Sequence, residues 1–296
     1  MTTRSRAELV LFAATFIWGS TFVVVKAGST DISPSLFVAL RFGIGALFFF
    51  LFLLKQLKFI EKQTLKSGMF LGTMLGIGIV IQNYGIYQTT ASKAAFITGL
   101  MVIFTPLAQL VLEKRPPKIG NVVGIIIVTY GLYLLTSPTG EGINVGDILV
   151  LISAMIFGVY IVYVDIHTKD KNPVYLSFVQ VSMTAFTALL ILPFEEVHFS
   201  ATTNLFTALL YMGIFATVLT TYSQTRFQKD TTPTRAVIIF TIEPVIAAVL
   251  AYFVLDEVLG IPGVIGGGLI IVGILISEFS DLFAIKLGLK IKPDEP

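Results

Sequence analysis

The sequence RAVIIFTIEPVIAAVLAYFVL at residues 235–255 is an apolar stretch long enough to cross a membrane. A bilayer core of about 30 Å requires roughly 20 apolar residues in an α-helix. Within this stretch Glu243 and Pro244 stand side by side, although a carboxylate is costly in lipid and proline interrupts the hydrogen bonds of a helix. The stretch therefore predicts a membrane-spanning helix with a polar break in it.

The whole chain has the composition of a membrane protein. Its 296 residues are 55% hydrophobic and 13% charged, and the mean hydropathy is +0.88. In soluble proteins about a quarter of the residues are charged. The net charge of +2 is too small to indicate nucleic acid as a partner. Because cysteine is absent, disulfides, thiolate catalysis and Cys-ligated metals are excluded, and we expect neither a cofactor nor a metal site.

Further apolar stretches of spanning length occur along the chain, joined by short loops. We predict an all-α integral membrane protein with ten transmembrane helices, at residues 8–27, 35–54, 68–88, 94–112, 119–136, 147–165, 174–194, 204–225, 235–255 and 262–279. The first stretch follows Arg4 and Arg6, as in a signal peptide. Its apolar part is long and no clear small-x-small cleavage site follows, so we expect it to remain as a helix.

The positions of lysine and arginine predict the orientation. If the N-terminus is cytoplasmic, every lysine and arginine except Lys26, Lys93 and Arg41 falls at a cytoplasmic end of a span. Lys26 and Lys93 then lie outside, and Arg41 lies within the second span. Because cytoplasmic loops are enriched in these residues, we predict that both termini are cytoplasmic.

The chain also repeats itself. A shift of 139 residues, without a gap, aligns Glu8 with Asp147, Trp18-Gly19 with Phe157-Gly158, Pro34 with Pro173 and Arg41 with Gln180. Each half contains five spans, an odd number, so the second half must enter the membrane from the opposite face. We therefore predict two inverted five-helix repeats, at residues 1–138 and 139–296. Many secondary transporters have this architecture, with the substrate site near the midplane.

Several motifs resemble those of a known family. They are FIWGSTFVVVK at 16–26, LRF at 40–42, EP at 243–244 followed by LDE at 255–257, and GGGLIIVGILIS at 266–277. Together with the ten predicted spans, they resemble the EamA family of the drug/metabolite transporter superfamily over nearly the whole chain. The resemblance implies a permease of the cell inner membrane, most often an exporter of amino acids or related metabolites. It leaves the substrate open.

Glu243 and Arg41 are the charged residues predicted within the membrane, and their backbones would differ in height by only about 10 Å. Glu243 is a substrate- or proton-binding group, a partner of Arg41 or another donor, or a protonated carboxyl that is hydrogen-bonded. Arg41 is a carboxylate ligand, half of a structural ion pair, or an outer gate residue. Amino acids suit a site with one charge of each sign, unless the two residues neutralise each other.

Two prolines are candidate hinges. Pro244 leaves the carbonyl of Phe240 without its helical partner and bends the helix, and Pro106 does the same to Val102. Pro106 lies nearer to Glu113 than Pro244 does to Glu257, so we transfer no role from one proline to the other. Prolines are common in membrane helices, so a packing role is an equal alternative for Pro244.

The remaining candidates are polar or aromatic residues inside the spans. Those in IQNYGIYQTT at 81–90 and in span 8 lie at opposite ends of the two halves, as expected of a translocation pathway. An interfacial aromatic belt is the alternative for Tyr222, and a wedge between helices is the alternative for Trp18. The predicted substrate pathway comprises Glu243, Arg41, Gln82, Asn83, Tyr84, Trp18, Tyr222 and Gln180.

Transport is favoured over other classes of function. The only histidines, His167 and His198, fall in predicted loops, and no paired carboxylates or catalytic motifs occur within the spans, so we expect no enzyme. An intramembrane enzyme, metabolite uptake and a facilitative permease for another solute class remain alternatives. The expected partners are a small-molecule substrate and the lipid bilayer. Glycines at four-residue spacing, such as Gly68, Gly72 and Gly76, allow close helix packing or a homodimer.

Overall fold

The computed structural model describes residues 2–135, 143–258 and 260–286 of the chain. This part of the chain is helical. The α-helices are α1 Thr3–Ala27, α2 Pro34–Leu53, α3 Lys62–Gln88, α4 Ala91–Gly99, α5 Met101–Glu113, α6 Ile119–Leu135, α7 Val145–Thr168, α8 Pro173–Ile191, α9 Thr203–Gly213, α10 Thr220–Phe227, α11 Pro233–Phe240, α12 Glu243–Leu255 and α13 Ile261–Lys286.

Eight helical segments are long and apolar enough to cross a membrane. They are Thr3–Ala27, Pro34–Leu53, Lys62–Gln88, Ala91–Glu113, Val145–Thr168, Pro173–Phe194, Thr203–Asp230 and Pro233–Leu255. Two shorter apolar helices, Ile119–Leu134 and Ile261–Ile276, occupy the places of the fifth and tenth predicted spans. Several helices extend beyond the predicted apolar spans; α3, for example, begins at Lys62 rather than at residue 68.

Two segments predicted as continuous helices are each broken in the middle. Residues 94–112 fall in α4 and α5, which meet at Leu100. Residues 235–255 fall in α11 and α12, which are separated by Thr241 and Ile242. Pro244 was predicted to bend one continuous helix, but it lies in the first turn of a new helix. Proline is well tolerated there, because the backbone N–H that it lacks would have no helical partner at that position. Pro106 lies inside α5, beyond the break.

A third interruption occurs between α9 and α10. Residues Ile214–Leu219 form a π-helix, where a continuous α-helix was predicted over 204–225. The wider turn changes the hydrogen-bond partners of the backbone, and such turns are frequent at functional sites. The residue types in this segment do not predict a π-helix.

The two halves of the chain pack closely against each other. α3 packs on α7 and α8, α2 packs on α8, and α1 packs on α12. A Cβ atom on Gly72 would lie 2.4 Å from the carbonyl oxygen of Gln180, so the α3–α8 contact requires glycine there. Likewise, a Cβ on Gly131 of α6 would lie 2.7 Å from the carbonyl oxygen of Gly266 of α13. These glycines serve contacts inside one chain.

Contacts at the helix ends show which ends share a face of the molecule. Lys26, near the end of α1, donates from Nζ to the carbonyls of Ile86 and Tyr87 at the end of α3, each at 3.2 Å. Thr89, which follows α3, donates to Asp147 in the first turn of α7 at 2.8 Å. The end of α1 and the start of α7 thus lie at the same face. We call the face where α1 begins the N-terminal face and the other the opposite face.

Candidate functional site

A cavity of about 100 Å³ lies between the two halves of the chain. The lining residues come from both halves and mix aromatic, polar and charged side chains. They are Trp18, Thr21, Phe22, Arg41, Phe42, Leu75, Ile79, Gln82, Thr98, Met101, Phe157, Tyr160, Ile161, Ala216, Thr221, Gln224, Phe240 and Glu243. A mainly apolar lining with a few inward polar groups is typical of a ligand site.

Glu243 lines this cavity from the helix break in the second half. It is the first residue of α12 and only 7% of it is exposed. The positive end of the α12 dipole lies at its backbone, which favours a negative side chain there. Within the described part of the chain, no hydrogen bond or ion pair engages its carboxylate. The carboxylate is thus available to a ligand in the cavity.

Arg41 lines the same cavity from α2, but neutral groups hold it. Its Nε donates to the Thr217 hydroxyl at 2.9 Å, and a terminal nitrogen donates to the Ala216 carbonyl at 2.8 Å. Both acceptors belong to the π-helical segment. The guanidinium carbon lies 5.0 Å from the centre of the Phe42 ring, a cation–π distance. Among the described residues no ion pair joins Arg41 to Glu243.

The aromatic-glycine pairs aligned by the repeat occupy corresponding places. Trp18 and Phe157 both line the cavity, and Trp18 packs edge-on against Phe240 with ring centres 5.1 Å apart. A Cβ on Gly19 would lie 2.9 Å from the carbonyl oxygen of Glu243, and one on Gly158 would lie 2.7 Å from Cβ of Phe104. Each glycine therefore lets the first helix of one repeat approach the broken span of the other.

Two further predicted residues are amides near the cavity. Gln82 lines it, and its amide donates to the Thr98 hydroxyl at 2.9 Å. Gln180 is fully buried behind the cavity wall, where its amide donates to the hydroxyl of Tyr160, a lining residue. Gln180 thus contacts the cavity only through Tyr160.

Three predicted pathway residues are not among the described lining residues. Asn83 is buried in α3, and its Nδ2 has no hydrogen-bond partner in the described part of the chain. Tyr84 lies towards the opposite face, where its hydroxyl donates to Glu195. Tyr222 lies in a separate groove towards the N-terminal face, together with Arg6 and Arg226.

Glu195 joins the loop after α8 to the start of α2. Its carboxylate accepts hydrogen bonds from the backbone N–H of Ser35 at 3.1 and 3.3 Å and from the Tyr84 hydroxyl. Burial alone would raise the pKa of this carboxyl, but the hydrogen bonds from Ser35 and Tyr84 hold the pKa below its usual value. The carboxylate therefore has a structural role at the opposite face.

The lining also includes polar residues of span 8, which were predicted as a group to belong to a translocation pathway. Thr221 and Gln224 line the cavity, and Thr217 anchors Arg41. These three residues follow one another at spacings of four and three, which places them on one face of a helix. Within residues 2–135, 143–258 and 260–286, no group of three His, Asp or Glu side chains comes together that could hold a metal ion.

Comparisons with known proteins agree with a transporter. The model of the EamA-like transporter family matches this chain twice, at residues 5–137 and 144–279. An uncharacterized transporter of Archaeoglobus fulgidus is 31% identical over 273 residues, which cover 92% of this chain and 86% of that protein. The uncharacterized transporter YoaV of Bacillus subtilis is 26% identical, covering 93% and 97% of the two chains.

A solved structure shares the fold. It superimposes with a TM-score of 0.76 over 96% of this chain and 99% of its own chain, at 19% sequence identity. At this identity the likeness concerns the fold alone.

Proposed function

The chain belongs to the EamA-like transporter family, and on this premise we propose that it is a secondary transporter that exports amino acids or related small metabolites by alternating access. The proposed architecture is ten transmembrane helices in two inverted five-helix repeats, divided near residue 138. The repeated family match and the shared face of the end of α1 and the start of α7 support this arrangement.

The observation that carries the proposal is the cavity with one acidic and one basic side chain. Arg41 enters it from the first repeat and Glu243 from the second. An ammonium group would bind the unpartnered Glu243 carboxylate, and a carboxylate would bind the outer edge of the Arg41 guanidinium. A zwitterion satisfies both charges at once. Any other solute would leave one charged side chain without a partner, which is costly in an apolar cavity.

The proposed coupling uses the same carboxylate. Glu243 would bind either the substrate or a proton, so that release of one accompanies binding of the other, as in proton relays of membrane carriers. The alternative is facilitated diffusion along a metabolite gradient, with Glu243 serving the helix break alone. Uptake and a different solute class are further alternatives, whereas an intramembrane enzyme is disfavoured because the relatives are named transporters.

We propose that the protein lies in the cell inner membrane with its N-terminal face towards the cytoplasm. The strong bias of lysine and arginine towards the predicted cytoplasmic loops supports this orientation. A topology test with a membrane-impermeant reagent and single cysteines in the loops would check it, because the native chain contains no cysteine.

Counterflow in proteoliposomes tests the transport proposal. Vesicles that contain the purified protein are loaded with single unlabelled solutes from a panel of amino acids, purines and polyamines, and the matching labelled solute is added outside. We expect transient accumulation of a labelled amino acid, with no chemical change of the solute. Accumulation of a purine or polyamine alone would contradict the amino-acid proposal, and a covalently altered solute would indicate an enzyme.

A matched control is available on α2. A Cβ added to Gly43 would meet no atom within 4 Å, so Gly43→Ala should retain counterflow. Arg41→Met, on the same helix, should reduce accumulation of the zwitterion by at least about tenfold, since the loss of a charged hydrogen bond is worth roughly 1.5–3 kcal/mol.

A further inference from the structure

A charged cluster joins the two repeats at the N-terminal face. Glu8 of α1 accepts a hydrogen bond from the Thr231 hydroxyl at 2.9 Å, and its Oε1 lies 3.5 Å from a terminal nitrogen of Arg235. Arg4 donates to the same oxygen at 2.9 Å. Glu8 and Arg235 are both buried. The cluster thus connects the first helix of the first repeat to the start of α11 in the second.

A second cluster joins the repeats at the opposite face. Asp147 of α7 lies 2.6 Å from Nζ of Lys93 in α4 and accepts a hydrogen bond from the Thr89 hydroxyl at 2.8 Å. The backbone N–H of Asn144 donates to the same carboxylate at 3.0 Å. Asp147 is buried. This cluster connects the first helix of the second repeat to the start of α4 in the first.

The internal repeat relates the two clusters to each other. Glu8 aligns with Asp147 at a shift of 139 residues, and TTASK at 89–93 aligns with TTPTR at 231–235 at a shift of 142. In each five-residue motif the second threonine caps its helix, since Thr90 accepts from the Lys93 N–H at 3.2 Å and Thr232 from the Arg235 N–H at 3.3 Å. One duplicated arrangement therefore occurs once at each face.

We propose that these clusters are two latches that hold the two entrances of the cavity closed. The first latch is Glu8, Arg235 and Thr231 at the N-terminal face, and the second latch is Asp147, Lys93 and Thr89 at the opposite face. Each latch joins one repeat to the other, and the cavity lies between them. Both clusters are formed in this conformation. The proposal rests on alternating access, in which only one entrance opens at a time.

The chemistry of the latches suits such a role. Each latch contains a buried carboxylate, Glu8 or Asp147. Separating the ion pair leaves that charge without a partner unless water reaches it, so each latch favours two discrete states, closed or open to water. The second latch is reinforced by Glu257 at the end of α12, which accepts from the backbone N–H of Ala91 at 3.0 Å and of Ser92 at 3.1 Å. At the N-terminal face Pro233 aligns with Ala91 and has no N–H to offer.

Cysteine accessibility tests the latches without any substrate. Thr21→Cys places one thiol in the cavity on the part of α1 near the opposite face, and Thr221→Cys places one on α10 nearer the N-terminal face. Each variant is treated with a membrane-impermeant maleimide at one face at a time, and the rate of labelling of the cysteine is measured. Adding Lys93→Met to Thr21→Cys should accelerate labelling from the opposite face about tenfold, a typical size for a conformational coupling, with no increase from the N-terminal face. Adding Arg235→Met to Thr221→Cys should accelerate labelling from the N-terminal face alone.

A conservative substitution is the matched control. Lys93→Arg places at the second latch the residue type of the first, keeps the cation opposite Asp147 and should retain slow labelling, whereas Lys93→Met should not. Unchanged labelling on addition of either latch substitution, or equal acceleration at both faces, would overturn the proposal. The labelling measurement requires no transported solute. Failure of the latch proposal is therefore distinguishable from failure of the transport proposal, in which no labelled solute would accumulate in the counterflow assay.

Discussion

The two broken spans, α4–α5 and α11–α12, occupy corresponding places in the two repeats but carry different side chains at the break. A shift of 142 residues aligns Met101 with Glu243, and both residues line the cavity. The repeat thus duplicates the backbone break, while a charge is present only in the second half. This difference indicates that the break serves the architecture of both halves, whereas only the second break brings a charged side chain to the cavity.

The far ends of the same two spans differ as well. Glu257, beyond α12, accepts two backbone hydrogen bonds from the start of α4. Glu113 aligns with it at the end of α5, but its Oε2 is buried and, within the described part of the chain, has no partner. Among the described residues, the face of Glu257 therefore has a link between the repeats that Glu113 does not provide at the N-terminal face.

The largest expected effect tests the charge at the second break. Glu243→Gln should reduce counterflow of the transported amino acid by at least about tenfold, because an amide forms no ion pair with an ammonium group. Met101→Gln places the same amide at the first break and should retain counterflow within about threefold. The comparison fails if the two variants are equally impaired, or if gradient-driven flux in Glu243→Gln equals that of the native chain.

An intermediate effect tests the close helix contacts at both breaks. A Cβ on Gly19 would lie 2.7 Å from Cβ of Ile246, and one on Gly158 would lie 2.7 Å from Cβ of Phe104. Such overpacking typically costs about 1–3 kcal/mol, so Gly19→Ala and Gly158→Ala should both lower the melting temperature. Gly43→Ala should leave it unchanged. A lower melting temperature in only one of the first two variants would show that the repeats are not packed alike.

The smallest expected effect concerns the opposite face, where Glu195 aligns with Gln56 of the first repeat at a shift of 139. The pKa of Glu195 is lower in the folded protein, so its carboxylate stabilises the fold above the ordinary value of 4.5, and this contribution is lost as the pH falls below it. Because the group is partly exposed, we expect about 1 kcal/mol or less.

The measurement for Glu195 is the change in melting temperature between pH 7 and pH 4. The native chain should lose more on acidification than Glu195→Gln, which has no charge to titrate at this position. An equal loss in the two proteins would assign the acid sensitivity to other carboxylates.

Much of the fold was predictable because apolar length and loop charge are local properties of the sequence. The sites of the eight candidate spans agree with the predicted ones, and the two shorter apolar helices lie where spans five and ten were predicted. The family was also predictable, since several motifs in the sequence resemble those of the family, and the family match covers both halves. The helix breaks at Leu100 and after Phe240 were harder to predict, because a proline lies next to the second break only.

The candidate site was predictable in part. Trp18, Arg41, Gln82 and Glu243 do line one cavity, because a polar or bulky residue inside a span is stable only where it turns away from lipid. Tyr84 and Tyr222 lie elsewhere, since residues near a span end can reach loops and grooves at the membrane surface. The charged clusters at the two faces were not predicted, because neither the alignment of Glu8 with Asp147 nor the repeated TTASK and TTPTR motifs shows which helices meet.

The sequence by itself determined that this protein crosses a membrane many times, that it is built from two related halves, and that a glutamate and an arginine lie among apolar residues. Those properties depend on residue type and spacing alone. Only the tertiary structure decided that Thr217 and Ala216 hold Arg41, that Glu243 faces the cavity without such a partner, and that Glu8 and Asp147 each bind the opposite repeat. These pairings depend on how helices far apart in the chain meet, and that is set by packing across the whole molecule.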